Sequence, residues 1–262
     1  MTAQEKPYFI PLPDRGLIKI GGADRFDFLQ ALISNDLALL KTQNMIYACL
    51  LTPQGKFLHD FFVSEHDEEI WLECDGGART QDLYMRLLMY KLRSKITIEA
   101  DDDHAVYAVF NTDAHGFKDP RHHDMGYRAY VAPADLAKAD FDVWDTRRIM
   151  LGIADGSRDM IVEKSTLLDY NIDQFNGVCY KKGCYVGQEL TARMHYRGLA
   201  KKSLYVVRGD NLPDTGADIM NGEALIGEMR SRCGTIGLAL LKIKSLETAD
   251  LTSLGFEITA AP

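Results

Sequence analysis

After Gly198 the residue pattern of this 262-residue chain changes in kind, and that change limits the possible folds more than any other feature. From Ser203 to Arg208, Glu223 to Arg230 and Thr235 to Ile243 the chain reads as short strands with turn residues between them and no long helical stretch. A small antiparallel β-barrel or sandwich is expected there. Before Gly198, strands and helices alternate. Leu17 to Ile20 reads as a strand stopped by Gly21-Gly22. Ala23 to Leu40 places Phe26, Leu29, Ile33 and Leu37 on one helical face, with Asp24 as N-cap. Ile46 to Leu51 and Phe57 to Val63 form a hairpin around the turn signal Thr52-Pro53-Gln54-Gly55-Lys56, and Ile70 to Cys74 is a further strand. A helix runs from Gly76-Gly77 to about Arg93, and Ile96 to Glu99 with Val106 to Phe110 reads as a second hairpin around Asp101-Asp102-Asp103. This order predicts an α+β fold with antiparallel sheets. Tyr127 to Val131 follows as a strand and Trp144 to Leu151 as a helix, while Asp155 to Ile172 is irregular.

The chain is long enough for two domains or one large one, and its 46% hydrophobic and 26% charged residues are those of a globular protein. A net charge of −8 argues against a general nucleic-acid binder and against adsorption to anionic lipid. That average conceals a reversal. Val178 to Arg208 holds seven basic residues and one acid, so the segment carries +6 and the remainder −14. Such a stretch is either a solvated face or a site for an anionic ligand or an acidic partner. The first fifteen residues hold three prolines and no apolar core of a signal peptide, and no stretch is apolar enough to span a membrane. The five cysteines are odd in number, scattered and without a C-x-x-C pair, which points to a reducing compartment, with cytoplasm the expectation.

The densest chemistry lies in Lys181-Lys182-Gly183-Cys184-Tyr185-Val186-Gly187-Gln188-Glu189. Glycines allow positive φ and close backbone approach. Cations near a cysteine stabilise its thiolate, the form that attacks electrophiles or binds metal, so Lys181 or Lys182 is expected to activate Cys184. Gln188 donates and accepts hydrogen bonds, and Glu189 offers an acid, base or orienting group. Taken alone, Cys184 is as readily a structural thiol in a tight turn; Cys179, in an apolar stretch, reads as core. His59-Asp60 lies in an apolar strand, so one of the two must face inward or line a cavity. Arg147-Arg148 is either a solvated helix face or a carboxylate clamp. His122-His123-Asp124 has metal-ligand types, but neighbours in a strand point to opposite sides, so a surface loop is the better reading. There is no phosphate-cradling loop, dinucleotide fingerprint or G-x-S-x-G.

Lys182-Gly183-Cys184-Tyr185-Val186-Gly187-Gln188-Glu189 resembles the K-G-C-Y-x-G-Q-E signature of the YgfZ family of folate-binding iron–sulfur assembly proteins, relatives of the glycine-cleavage T-protein. Thr191-Ala192-Arg193 and Arg197-Gly198 continue the resemblance. Weaker pieces in the right order are Arg15-Gly16-Leu17, Asn35-Asp36, Leu51 to Lys56, Asp119-Pro120-Arg121, Gly126-Tyr127-Arg128 and Asp173-Gln174. The resemblance implies three small domains in a ring around a hole that holds tetrahydrofolate, one ferredoxin-like and the last an antiparallel β-barrel. The division expected is 1–43 with 144–195, then 44–143, then 196–262. It further implies an accessory factor for iron–sulfur cluster assembly or repair, working through Cys184, with Lys182 and Glu189 beside it. Cys184 would be one ligand of a transient [2Fe–2S] cluster shared with an A-type carrier protein. The folate contacts expected are His59, Asp60, Arg148, Glu163, Tyr185, Gln188 and Arg197. In the T-protein relatives an aspartate serves folate chemistry near Gly55 to Asp60; here that position falls on His59, with Asp60 next. The alternative reading is folate-dependent aminomethyl transfer with Asp60 or Glu163 as the acid–base group.

Overall fold

The computed structural model describes residues 6–248 and 254–260. Its largest sheet has five antiparallel strands in the order Met45–Leu51, Phe57–His66, Glu69–Asp75, Arg15–Gly21 and Thr97–Asp101. Without the Met45–Leu51 edge strand, the chain order across the sheet is 4-1-3-2, a ferredoxin-like arrangement of the kind the family resemblance implies. Helices Arg25–Gln30 and Ala78–Lys91 cover one face, where Phe28, Leu29, Leu83 and Leu87 pack on Ile18, Ile20, Ala48 and Val63. The other face sends Leu17, Tyr47, Cys49 and Phe62 into a core shared with the rest of the protein. Burial of both faces explains why Met45–Leu51 is buried at every residue and reads as a continuous apolar run.

Three local readings change in the fold. The helix expected to reach Leu40 stops at Gln30, because side chains there compete for the backbone. Gln30 bonds the Leu37 N–H and the Asp36 carboxylate, and Asp36 caps a short 3-10 turn, Leu37–Lys41, through the Ala38 N–H. The second expected hairpin does not form. Thr97–Asp101 pairs with Arg15–Gly21, whereas Tyr107–Phe110 lies in a different sheet between Tyr8–Pro11 and Tyr127–Ala129. The acidic run therefore links two sheets, which strand alternation cannot distinguish from a turn. For the same reason the boundary at 43/44 does not follow strand pairing: Arg15–Gly21 belongs with the sheet of residues 45–101.

The second sheet is completed by the short strands Phe117–Lys118 and Ala137–Lys138. The third is antiparallel, in the order Asp218–Asn221, Ala224–Cys233, Ile236–Lys242, Lys202–Arg208 and Glu257–Ala260. It contains the three strands expected after Gly198 and two short edge strands besides. Its inner residues Val207, Ile219, Met229 and Leu241 form a core of their own. Helix Phe141–Met150 packs on this sheet, with the Thr146 hydroxyl 3.2 Å from the Cys233 sulfur.

Candidate functional site

Two glycine turns meet to build the platform for the cysteine motif. Gly187, at φ +82°, precedes the helix Gln188–Arg197 and lies against the hairpin turn; a Cβ there would stand 2.5 Å from the Thr52 carbonyl oxygen and 2.8 Å from the Leu51 Cβ. Gly55, at φ +74°, meets Leu190 and the Gly187 carbonyl in the same contact. Two motifs more than a hundred residues apart are thus one docking surface, and only residues without a side chain permit the approach. The helix carries Glu189 in its first turn and His195 and Arg197 in its last, which suits the helix dipole. It ends at Gly198 in the left-handed conformation, with the Leu199 N–H donating to the Met194 carbonyl.

Between Tyr180 and Gly187 the chain presents Cys184 to solvent, the one exposed cysteine of the five; Cys49 and Cys74 are buried and Cys179 and Cys233 half-buried. Lys182, expected to activate that thiol, points inward instead. Its ammonium donates to the carbonyls of Gln30 at 2.7 Å, Ile33 at 2.7 Å and Asn35 at 2.8 Å. All three of its donors are engaged. These carbonyls lie just past the short helix Arg25–Gln30, where backbone acceptors lack helical partners. Lys182 therefore ties the cysteine loop to the ferredoxin-like unit, and burial lowers its pKa to about 8. Its ammonium lies 5.1 Å from the centre of the buried Tyr185 ring. Gln188 reaches back to the Gly183 carbonyl at 3.5 Å, and Glu189 is exposed.

A cavity of about 920 Å³ opens beside this loop. Three separate stretches wall it: 35–47 from the first sheet and its approach, 118–123 from the second, and 174–181 leading into the cysteine motif. Cys179, Tyr180 and Lys181 lie in its wall, while Cys184 lies outside it. His122 and His123 also line it. They sit at a 3-10 turn, not in a strand, and their nitrogens lie within 4.8 Å of one another and of the Asp124 carboxylate. None of the seven residues expected to contact folate lines this cavity. His59 and Asp60 are both buried, on opposite faces of their strand. His59 turns to the helix layer, 2.8 Å from Asp82 and 3.1 Å from Arg79, and burial together with the Arg79 charge lowers its pKa to about 4. Arg148 is fully buried and bonds Asp145, Asp159, Ser231 and the Ile153 carbonyl, joining its helix to the third sheet. Glu163 lines a separate groove, where it approaches Arg86 at 3.5 Å. Arg197 is exposed on the helix.

Asp60 faces the shared core, where its carboxylate accepts from the Tyr47 hydroxyl at 2.9 Å. Tyr47 in turn lines the cavity, so it stands between Asp60 and any occupant. Burial, and then the neighbouring Asp75, push the Asp60 carboxyl up to about 7. The reason lies in a buried ionic chain that residue types alone did not reveal. Arg15 bonds Glu73 at 3.0 Å and Asp75 at 2.9 Å; Arg128 joins Glu73 to Asp119, which Arg121 holds at 2.8 Å. Phe62 lies beneath Arg128 and Arg121, 3.9 and 4.7 Å from its ring centre. Burial opposes the ionised forms of Glu73 and Asp119, but these arginines outweigh it and hold both carboxyls below the usual range. These arginines pair with Glu73, Asp75 and Asp119, and Arg15 also approaches Asp155 at 3.9 Å, whereas Asp60 forms no ion pair among the described residues. The spacing of Arg15, Asp119, Arg121 and Arg128 was visible only as scattered pieces of the resemblance.

Residues 201–262 match the family described as CAF17, C-terminal beta-barrel domain. The glycine cleavage system aminomethyltransferase T of Bartonella henselae has a similar fold, with a TM-score of 0.70 over 91% of this chain and 79% of that one, at 13% sequence identity. Fold and site together thus define a T-protein-like α+β protein whose last unit is a CAF17-type β domain and whose cysteine loop is displayed on a glycine-built platform. The iron–sulfur cluster assembly factor IBA57 of Homo sapiens, a mitochondrial protein, is 32% identical over 88% of this chain and 76% of its own length. Its homolog in Mycosarcoma maydis, also mitochondrial, is 33% identical over 74% of this chain and 55% of its own length. The chain belongs to the IBA57 family. These relatives overturn the expectation of a cytoplasmic protein. Dispersed free cysteines report a reducing environment, which is not particular to one compartment.

Proposed function

We propose that this protein serves iron–sulfur cluster assembly by lending the Cys184 thiolate to a cluster held jointly with a partner. Membership of the IBA57 family, whose named relatives are assembly factors, supports the general role. The observation that carries the finer reading is the exposure of Cys184 alone among the five cysteines, on a loop anchored by Lys182 and Gly187. A thiolate is a soft ligand suited to iron–sulfur clusters, and one cysteine supplies one of the four ligands that a [2Fe–2S] cluster takes. The others must come from the partner, for which an A-type carrier is the proposal. The thiol proton leaves as the iron–sulfur bond forms, so cluster capture is favoured as pH rises.

Tetrahydrofolate is the second part of the proposal, with the large cavity as its place. The volume suits a ligand of that size, and Lys118 and Lys181 offer cations for a glutamate tail. The lining carboxylate, Asp119, is committed to Arg121 and Arg128, so the pterin edge would be met by the amides of residues such as Gln43, Asn44 and Gln174. Aminomethyl transfer has less support, because Asp60 is screened by Tyr47 and Glu163 lies in another groove. The test is anaerobic reconstitution with a purified A-type carrier. A shared cluster absorbance that Cys184→Ser abolishes while folate binding persists is the expected result. Equal absorbance from the variant would refute the thiolate role.

A further inference from the structure

The outer face of the helix Gln188–Arg197 and the turn after it carry a feature that cluster ligation does not use. Tyr196 is 70% exposed and Leu199 44%. Around them Arg193, Arg197 and Lys201 are exposed, and Lys181 is exposed in the loop before the helix. Among the described residues none of these four cations forms an ion pair. Arginines such as Arg15, Arg121, Arg128 and Arg148, by contrast, are bonded to carboxylates. The charge of this face is therefore uncompensated, within a chain whose remainder is strongly acidic.

We infer that this face docks an acidic surface of the cluster-carrying partner and so holds that partner over Cys184. The inference rests on the shared-cluster reading above. The aromatic anchor is preorganised. Tyr180 stacks on His195 at 3.8 Å, Tyr196 meets the edges of both rings at 5.9 and 5.2 Å, and Asp173 holds the Tyr180 hydroxyl at 3.1 Å and His195 at 3.4 Å. A ring already fixed loses little freedom on binding, and tyrosine and arginine are the residue types that dominate interface energetics. The loop bearing Cys184 runs back along the helix: Gly187 caps one end, and Tyr180 stacks near the other. The ten-residue helix spans about 15 Å, so the thiol and the Tyr196 anchor lie within one partner footprint. Glu189, Arg193 and Arg197 follow one another at four-residue spacing, which puts both arginines on a single stripe. An acidic protein is favoured over nucleic acid as the occupant, because a protein can confine its acidic groups to the basic face, whereas a nucleic acid carries its charge past that face onto the acidic remainder of the chain.

The experiment measures association of the full chain with a purified, cluster-loaded A-type carrier at salt concentrations from about 0.03 to 0.3 M. Arg193→Glu/Arg197→Glu and Tyr196→Ala are compared with the natural sequence and with Cys184→Ser. Among the described residues the side chains of Arg193 and Arg197 form no hydrogen bond or ion pair that substitution would remove, and thermal melts check that the fold is kept. The double charge reversal is expected to weaken binding at low salt about tenfold or more, chiefly through a slower on-rate. Tyr196→Ala is expected to speed dissociation about tenfold or more. Cys184→Ser should lose the shared absorbance, and against carrier without cluster it should associate as the natural protein does. Unchanged binding by the arginine and tyrosine variants overturns the docking surface while leaving the cluster reading intact. Failure of the natural protein to bind the carrier overturns both. Tighter binding of transfer RNA than of the carrier overturns the choice of occupant.

Discussion

Replacing Asp60 by asparagine tests whether the buried core holds a protonated carboxyl. In the folded protein burial and Asp75 push this group up to about 7, whereas an unfolded aspartate titrates near ~3.9. Below pH ~4 both states hold the proton and the group costs nothing. Between about 4 and 7 the unfolded chain releases the proton and the folded chain keeps it, so stability falls as pH rises. A difference of about 3 units at ~1.4 kcal/mol each amounts to about 4 kcal/mol, fully lost above the folded value. Asparagine at this position keeps an oxygen to accept from the Tyr47 hydroxyl and has no proton to lose. Asp60→Asn should therefore gain stability over the natural protein progressively from about pH 4 to 7, by up to about 4 kcal/mol. Urea titrations across that range measure it. The depressed carboxyls of Glu73 and Asp119 act at lower pH and are common to both proteins, so they cancel in the comparison. Parallel pH profiles for the two proteins would refute the assignment of a neutral Asp60.

Two further substitutions probe the cysteine platform. Lys182→Met leaves three carbonyls without their cationic donor and should cost about 2–4 kcal/mol in denaturant melts. The pH profile of Cys184 alkylation should stay where it is; a marked shift would return Lys182 to the role of thiolate activator. Gly187→Ala places a methyl group against the Thr52 carbonyl at positive φ and should cost about 2–3 kcal/mol, seen as a lowered melting temperature. Gly183→Ala, where nothing stands within 4 Å, should be close to neutral. Equal effects from the two glycines would contradict the docking of the two turns.

Elements with a strong local period were legible in the sequence. The Thr52 to Lys56 hairpin, the helix after Gly76-Gly77 and the three central strands after Gly198 all form where patterning put them. What local pattern cannot carry is partnership. Asp101 to Asp103 looks the same whether it turns a hairpin or joins two sheets, and the choice was made by which strand lay free to pair. Cys184 was recognisable from its neighbours, but the direction of Lys182 was not. A lysine can approach a thiol or reach inward, and the unpaired carbonyls of residues 30–35 drew it inward.

The chain by itself determined its α+β character, the β-rich C-terminal unit and the glycine-flanked cysteine, because these follow from residue period, turn chemistry and conformational freedom within a few neighbours. Tertiary structure alone decided that Arg15, Glu73, Arg128, Asp119 and Arg121 form one buried ionic chain and that burial and Asp75 raise the Asp60 carboxyl behind Tyr47. It alone made Cys184 the exposed thiol. Charge pairing and burial depend on groups far apart in sequence, and a carboxyl takes its protonation from the low-dielectric surroundings that only the folded chain assembles.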